Sequence, residues 1–324
     1  MILSRIIATG AYLPSRIVTN AEIAKMVGIE ERAIYRRTGI RDRRWADEKE
    51  ATSDLAAQAA KQVLAQAGMD PKAIDFILVA TTSPDMFFPS TACLVQEKIG
   101  AGRAAAFDLA ASCSGFIFAL SIADQYLKNR QAKTVLVIAA EVKSRFLNYD
   151  DPGTAILFGD GAGAVLLQAS EGERGILSCH LHTDGSKHDL IEIPGGGSRS
   201  PAVREGRRLN TIRMKGNRLF RAVVRQFEQA IHGAVKHQGL TLSDVDHFIF
   251  HQANRRMLES LAKKCKIPME KLVLVIEHYG NTSSSSIPIA LQAADEAGRL
   301  KPGQLIFLGG VGGGLTGGTA LIRW

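Results

Sequence analysis

Gln66-Ala-Gly-Met-Asp-Pro-Lys-Ala-Ile-Asp-Phe-Ile-Leu-Val-Ala80 aligns without a gap, at an offset of 171 residues, with His237-Gln-Gly-Leu-Thr-Leu-Ser-Asp-Val-Asp-His-Phe-Ile-Phe-His251. Each stretch reads as a helix closed by a glycine, then a turn, then a strand whose unbroken apolar run marks burial on both faces. Thr134 to Ala139 echoes Gln304 to Gly309 at an offset of 170, and Gly161-Ala-Gly-Ala-Val-Leu echoes Gly317-Gly-Thr-Ala-Leu-Ile at 156. Three echoes in one order imply an internal duplication. Each half reads helix, strand, helix, strand and then glycine-rich hairpin strands. The pattern predicts a mixed α/β protein of two similar, interdependent halves, 1–171 and 172–324, joined in the polar stretch Ala169 to Arg174.

Composition narrows the classes of function. With 46% hydrophobic and 22% charged residues and ten prolines, the 324-residue chain reads as globular and large enough for an extensive core. No apolar run reaches the ~18 residues of a membrane span, and Met1 to Tyr12 lack the features of a secretory signal, so a cytoplasmic protein without a membrane partner is expected. Cys93, Cys113, Cys179 and Cys265 form no Cys-x-x-Cys pair and no ligand spacing with histidine, which argues against a disulfide framework or a zinc site. His180-x-His182 reads as a surface strand pair. The net charge of +8 is concentrated: Arg199 to Arg225 holds nine basic residues and one acid, Glu205. Such a stretch suits a polyanionic partner or a solvated face, and it lacks the interleaved aromatic residues that stack nucleic-acid bases.

Cys113 follows the strand-like run Ala104 to Ala111 and precedes a helix-like stretch, Phe116 to Leu127. At a helix N-terminus the unpaired N–H groups stabilise a thiolate, so this position suits a nucleophile, although a small buried cysteine fits the same pattern. Shifting Cys113 by 170 residues reaches Ser283 in Tyr279-Gly-Asn-Thr-Ser-Ser-Ser-Ser-Ile-Pro288, after a predicted strand Leu272 to Ile276 and before a predicted helix Ile287 to Ala297. His251 likewise sits between the predicted strand Phe248 to Phe250 and helix Asn254 to Lys264. Ligand groups converge at strand C-termini in such folds, which places Cys113, His251 and Asn281 in one site. The trio fits acyl transfer through a thioester. It would also suit a papain-type hydrolase, but the local motif and the repeat speak against that. Gly309-Gly-Val-Gly-Gly-Gly-Leu-Thr-Gly-Gly318 lacks a Walker lysine and runs into a strand, Thr319 to Trp324; one of its N–H groups is expected to join that of Cys113 in an oxyanion hole. Phe158-Gly-Asp-Gly-Ala-Gly163 reads as a tight turn beside the site.

Asp108-Leu-Ala-Ala-Ser-Cys-Ser-Gly-Phe116, Phe158 to Gly163, His251-Gln-Ala-Asn254, Gly280-Asn-Thr282 and the glycine-rich C-terminal strand closely resemble the β-ketoacyl-acyl-carrier-protein synthase III family. The resemblance runs from Ile6-Ile-Ala-Thr-Gly-Ala-Tyr-Leu-Pro14 to Trp324. It implies a thiolase-like, five-layered αβαβα fold and a homodimer. Cys113 would accept an acyl group from a coenzyme A thioester; malonyl carrier protein would then lose carbon dioxide and its carbanion would attack the held acyl group, starting fatty acid or related polyketide synthesis. By the same resemblance His251 and Asn281 hydrogen-bond the malonyl thioester oxygen, the N–H groups of Cys113 and Gly313 bind the oxyanion, and no metal or redox cofactor is needed. Phe88 would cross the dimer interface to wall the acyl pocket. Arg37, Thr38, Met214, Phe220, Ala253 and Asn254 would line the pantetheine channel. Arg221, Arg256, Lys263 and Lys264 would receive the acidic carrier protein, and Arg255 replaces an apolar family residue on that surface. Two positions depart from the family: Ala33 and Pro152 stand where a tryptophan and an arginine commonly sandwich the adenine. That departure points to a donor held through pantetheine, a different acyl-CoA or a carrier-borne acyl group, with Tyr35 or Trp45 as candidate replacement rings. An acyltransferase that works without decarboxylation is the alternative on the same fold.

Overall fold

The computed structural model describes residues 2–201 and 210–324. Its first sheet runs in the order Ile2–Tyr12, Gly161–Glu171, Thr134–Glu141, Phe76–Ala80, Ala105–Leu109. The second runs Gly175–Thr183, Thr316–Arg323, Leu305–Gly312, His247–Phe250. In both, the first three strands pair antiparallel and the next joins in parallel. The duplication read in the sequence is thus a duplication of topology. The two helices that lead into Phe76–Ala80 and His247–Phe250 are each closed by a left-handed glycine, Gly68 at φ 61° and Gly239 at φ 69°.

Alternation along the strands builds the layers. Ile77 and Val79 face outward onto the helices Thr52–Ala67 and Thr91–Ile99, together with Leu136 and Ile138. Leu78, Val135 and Val137 face inward onto Gly115–Lys128 and Ser286–Glu296, whose other side meets Ile249, Ile306 and Leu308 of the second sheet. Phe248, Phe250 and Phe307 turn outward again, beneath the helices Gly216–His237 and Arg255–Cys265. Side chains of successive strand residues point to opposite faces, so one run of apolar residues serves two layers at once. The result is the αβαβα stack.

Two expectations are corrected. The register of the repeat is 171 residues in the central strands, since Phe76 pairs with Val135 as His247 pairs with Ile306, and the hairpin offset is 155 rather than 156. The turns Ser112–Ser114 and Ser283–Ser285 each begin on a serine in the left-handed region, at φ 51° and 54°, so the counterpart of Cys113 is Ser284 and not Ser283. Strands buried on both faces carry no polar alternation, so nothing in their sequence distinguishes a register from its one-residue slip. Second, Leu272 to Ile276 is not a strand: Leu272 forms a single bridge to Phe248, and Ile276 opens the short helix Ile276–Tyr279. The buried side chain of Gln252 fills the gap. Its Nε2 donates to the Phe250 carbonyl at 2.7 Å and lies 3.2 Å from that of Val273, and its Oε1 accepts from Val275 N at 3.1 Å.

Replacing Gln252 by leucine keeps the volume but orphans those backbone groups. We expect a loss of about 2–4 kcal/mol in urea denaturation; a change below about 0.5 kcal/mol, within the range of ordinary surface substitutions, would show that the wedge does not matter.

Candidate active site

Cys113 lies buried in the turn Ser112–Ser114 where the chain enters Gly115–Lys128. The left-handed backbone at Ser112 is costly for a residue with a Cβ, and neighbouring bonds hold it. Ser114 Oγ and Thr316 Oγ1 sit 2.7 Å apart, and each reaches the Ala111 carbonyl, at 2.7 and 2.8 Å. The strand Leu305–Gly312 presses directly on this turn. A Cβ on Gly312 would fall 2.4 Å from Cys113 N, so only glycine permits the approach there, and one on Gly310 would crowd Cys113 O at 3.2 Å. Gly313 follows, against Ser112 Oγ.

His251 leaves the end of His247–Phe250 with its N–H bonded to the Gly309 carbonyl at 2.8 Å. Its Nδ1 is 2.7 Å from Ser286 Oγ, which also accepts from Gln252 N at 3.1 Å. The first residue of the second inner helix therefore orients the imidazole. Asn281 is anchored on the turn after Phe158: its N–H bonds the Leu157 carbonyl at 2.9 Å, and its own carbonyl accepts from Gly159 N at 3.1 Å. Its Oδ1 accepts from Ser283 N at 2.9 Å, which leaves the amide Nδ2 as the donor it can offer. Cys113, His251 and Asn281 all line one cavity of about 450 Å³, with Gly313. Arg37, Thr38, Met214, Phe220, Ala253 and Asn254 line the same cavity, as does Arg256.

Burial by itself would raise the Cys113 thiol. The neighbouring His251, through charge and a hydrogen bond, outweighs that cost together with Ser283 and the charge of Lys143, and the thiol is lowered to about 7. Ser283 Oγ is 3.5 Å from Cys113 Sγ. Burial, reinforced by the charge of a nearby acid and only partly offset by a lysine, pushes Cys179 up to about 12, beside Asp124 and Lys128, and Cys265 up to about 11, beside Glu228 and Lys264. Of these three thiols only Cys113 is poised to react near neutral pH.

Two residues beneath the nucleophile were not singled out from the sequence. Glu141, with no exposed surface, pairs with Lys143 at 3.0 Å and accepts from the hydroxyls of Thr82 at 3.1 Å, Ser283 at 3.2 Å and Ser284 at 2.9 Å, and from Ser83. Burial pushes its carboxyl up, but Lys143 and these hydroxyls hold it below its ordinary range. The signal was legible: Glu141-Val-Lys143 places two opposite charges at the end of an apolar strand, where only mutual pairing makes burial tolerable.

Other predicted positions lie elsewhere. Phe88 is 84% exposed and Phe87 80%, both away from the cavity. Arg221, Arg256 and Lys263 are exposed and make no ion pair among the described residues, whereas Arg255 pairs with Glu259 at 2.9 Å and Lys264 with Glu228 at 2.5 Å. Arg204, Glu205, Arg207 and Arg208 of the basic stretch lie outside the described residues. Neither candidate replacement ring faces the cavity: Trp45 is buried with its Nε1 donating to the Phe158 carbonyl, and Tyr35 lines a separate recess under the Arg41 guanidinium, 5.2 Å from its ring centre. His180 meets His237 edge-on at 4.9 Å, and among the described residues no cluster of three or more His, Cys, Asp or Glu could hold a metal.

Residues 107–185 match the family described as 3-oxoacyl-[acyl-carrier-protein] synthase III, and residues 235–324 match its C-terminal part. A β-ketoacyl-[acyl-carrier-protein] synthase III of Paramagnetospirillum magneticum is 48% identical over 99% of this chain and 98% of the relative. The chain belongs to the β-ketoacyl-[acyl-carrier-protein] synthase III family. Like the family it is a condensing enzyme of the acyltransferase type. The crystal structure of 3-oxoacyl-[acyl-carrier-protein] synthase III from Aquifex aeolicus superposes with a TM-score of 0.92 at 43% identity, covering 99% of this chain and all of the other, and the fold is thiolase-like. The priming β-ketosynthase of the R1128 polyketide pathway superposes with a TM-score of 0.93 at 31% identity, covering 99% of this chain and 96% of the other. In this synthase III, no helix among the described residues is long and apolar enough to cross a membrane.

The lowered thiol sets a pH profile. Alkylation of Cys113 by iodoacetamide, followed by peptide mass spectrometry, should rise with pH through an inflection near 7. In His251→Ala the inflection should move up by about one unit or more. An unmoved inflection would remove His251 as the activating neighbour.

Proposed function

We propose that the chain condenses an acyl-CoA starter with malonyl-acyl-carrier-protein, with loss of carbon dioxide, to give a β-ketoacyl-acyl-carrier-protein and so begin fatty acid synthesis. One observation carries the reading: an activated thiol shares a cavity with two side chains able to donate hydrogen bonds, His251 and Asn281, that emerge from the other half of the fold. Cys113 Sγ attacks the donor thioester, the bond to coenzyme A breaks, and the acyl group stays on sulfur. The N–H groups of Cys113 and Gly313 stabilise the oxyanion in that step and in its reversal. The malonyl group then takes the place of the donor. Its carbon–carboxylate bond breaks, the electron pair moves onto the thioester as an enolate, and His251 and the Asn281 Nδ2 bind that oxygen. Carbon attacks the acyl-cysteine carbonyl, and Cys113 leaves as a thiolate. Two half-reactions at one nucleophile give ping-pong kinetics.

The same reading assigns the surrounding residues. Arg37, Thr38, Met214, Phe220, Ala253 and Asn254 hold the pantetheine arm that carrier protein and coenzyme A share. Arg221, Arg256 and Lys263 take most of the acidic carrier's charge, because the ion pairs of Arg255 and Lys264 leave those two already balanced. A second copy of the chain covers the edge strand Ala105–Leu109, which pairs on one side only, and the exposed Phe87 and Phe88 beside it, so the working form is a cytoplasmic homodimer. Residues 1–171 supply the nucleophile and 172–324 supply His251 and Asn281. Ala33 and Pro152 offer the adenine neither ring nor cation, which favours a starter gripped through pantetheine, including non-acetyl or carrier-borne acyl groups, as the second reading.

With malonyl carrier protein and a panel of acyl-CoAs, carbon dioxide and a β-ketoacyl product should appear together. His251→Ala and Asn281→Ala should each lower the condensation rate about 10²–10³-fold while mass spectrometry still finds the acyl group on Cys113. Acyl transfer without carbon dioxide would overturn the condensing reading. Arg221→Glu with Lys263→Glu, neither of which lines the cavity, should raise KM for malonyl carrier protein about tenfold or more at low salt and leave that for the acyl-CoA within about twofold.

A further inference from the structure

A second cavity, of about 510 Å³, also reaches Cys113. It shares Cys113, Phe158, Ile191 and Gly313 with the first cavity and has walls of its own that include Thr82, Lys143 and Ser283. The first cavity opens past Arg37 and Arg256 and takes the thioester arm in the reading above. An acyl group on Cys113 Sγ therefore has the second cavity to occupy.

Phe158, Ile191, Ile193 and Ile212 make much of that cavity apolar, but a charged side chain, Lys143, stands in its wall. Lys143 is 5% exposed, and its ammonium has three N–H bonds. Two of them meet Glu141 Oε2 at 3.0 Å and Thr82 Oγ1 at 2.5 Å, and the third has no acceptor among the described residues. A plain alkyl chain pressed against this group would strip water from the remaining N–H and return nothing. Charge decides which acceptor belongs there. Glu141 already balances Lys143, and Glu192 lines the same cavity, so a further carboxylate would face two acids with one cation.

We propose that Lys143 selects a starter whose acyl chain carries a neutral oxygen, a hydroxyl or a keto group, within reach of its ammonium. This rests on the acyl-cysteine reading and narrows its substrate class.

The test is a competition for Cys113 among butyryl-, 3-hydroxybutyryl-, acetoacetyl- and succinyl-CoA at equal concentration, read by mass spectrometry of the intact protein, with Cys113→Ala as the blank. The oxygenated four-carbon groups should outcompete butyryl by about tenfold or more. In Lys143→Met that ratio should fall to about one; because it compares acyl groups on one thiol, the accompanying change in thiol reactivity cancels. Should Lys143→Met fail to fold with Glu141 unpaired, Lys143→Met with Glu141→Gln removes both charges and is read in the same way. Preference for butyryl, or for succinyl, in the unaltered protein overturns the proposal while leaving the acyl-cysteine reading intact. Absence of any adduct on Cys113 overturns that reading itself.

Discussion

A carboxylate with no exposed surface ties the two halves together under the nucleophile. Glu141 receives hydroxyls from Thr82 and Ser83 on one side of the duplication and from Ser283 and Ser284 on the other, and Lys143 neutralises it. Burying the charge is expensive, and the pairing and hydrogen bonds only recover that cost. What the arrangement supplies is position. Ser283 lies against Cys113 Sγ through its hydroxyl and orients Asn281 through its N–H, so the Glu141 contact sets the distance between groups from opposite halves.

Duplication then explains why one site forms rather than two. The turns Ser112–Ser114 and Ser283–Ser285, which open the inner helices Gly115–Lys128 and Ser286–Glu296, meet where Cys113 Sγ lies against Ser283 Oγ. One copy of the turn presents Cys113. In the other the corresponding residue is Ser284, whose hydroxyl is spent on Glu141 and the Ala80 carbonyl, and Ser286 holds His251. The symmetric frame supplies equivalent backbone, and the side chains divide the labour. Gly310 and Gly312 let the second half approach closely enough for this to work, since any side chain at Gly312 would collide with the Cys113 N–H.

The fold was legible because glycine-closed helices and apolar strands recur in order, and these are local signals. Register was not: along Thr134–Glu141 every residue is buried, and a run without alternation fits two registers equally well. The missing strand at Leu272 to Ile276 illustrates another limit, for an apolar pentapeptide reads as a strand until a distant glutamine enters the ladder. Within the site, Cys113, His251 and Asn281 stood out because each ends a local element. Lys143 did not, although its place at a strand end beside Glu141 was visible. Whether a buried lysine serves the fold or faces a cavity depends on neighbours such as Thr82, some sixty residues away in sequence.

The thiol near 7 is itself a compromise between the two proposed half-reactions. A thiolate must be present to attack the donor, yet a very acidic thiol is a poor nucleophile, and the same sulfur must later leave when the acyl group is taken. Burial and His251 pull in opposite directions and leave Cys113 between those demands. Relaxing the burial would lower the thiol further and make departure easier, but it would also admit water to the acyl-cysteine. The covering that makes ionisation harder also protects the intermediate, and so the opposing charge comes from a buried neighbour rather than from solvent.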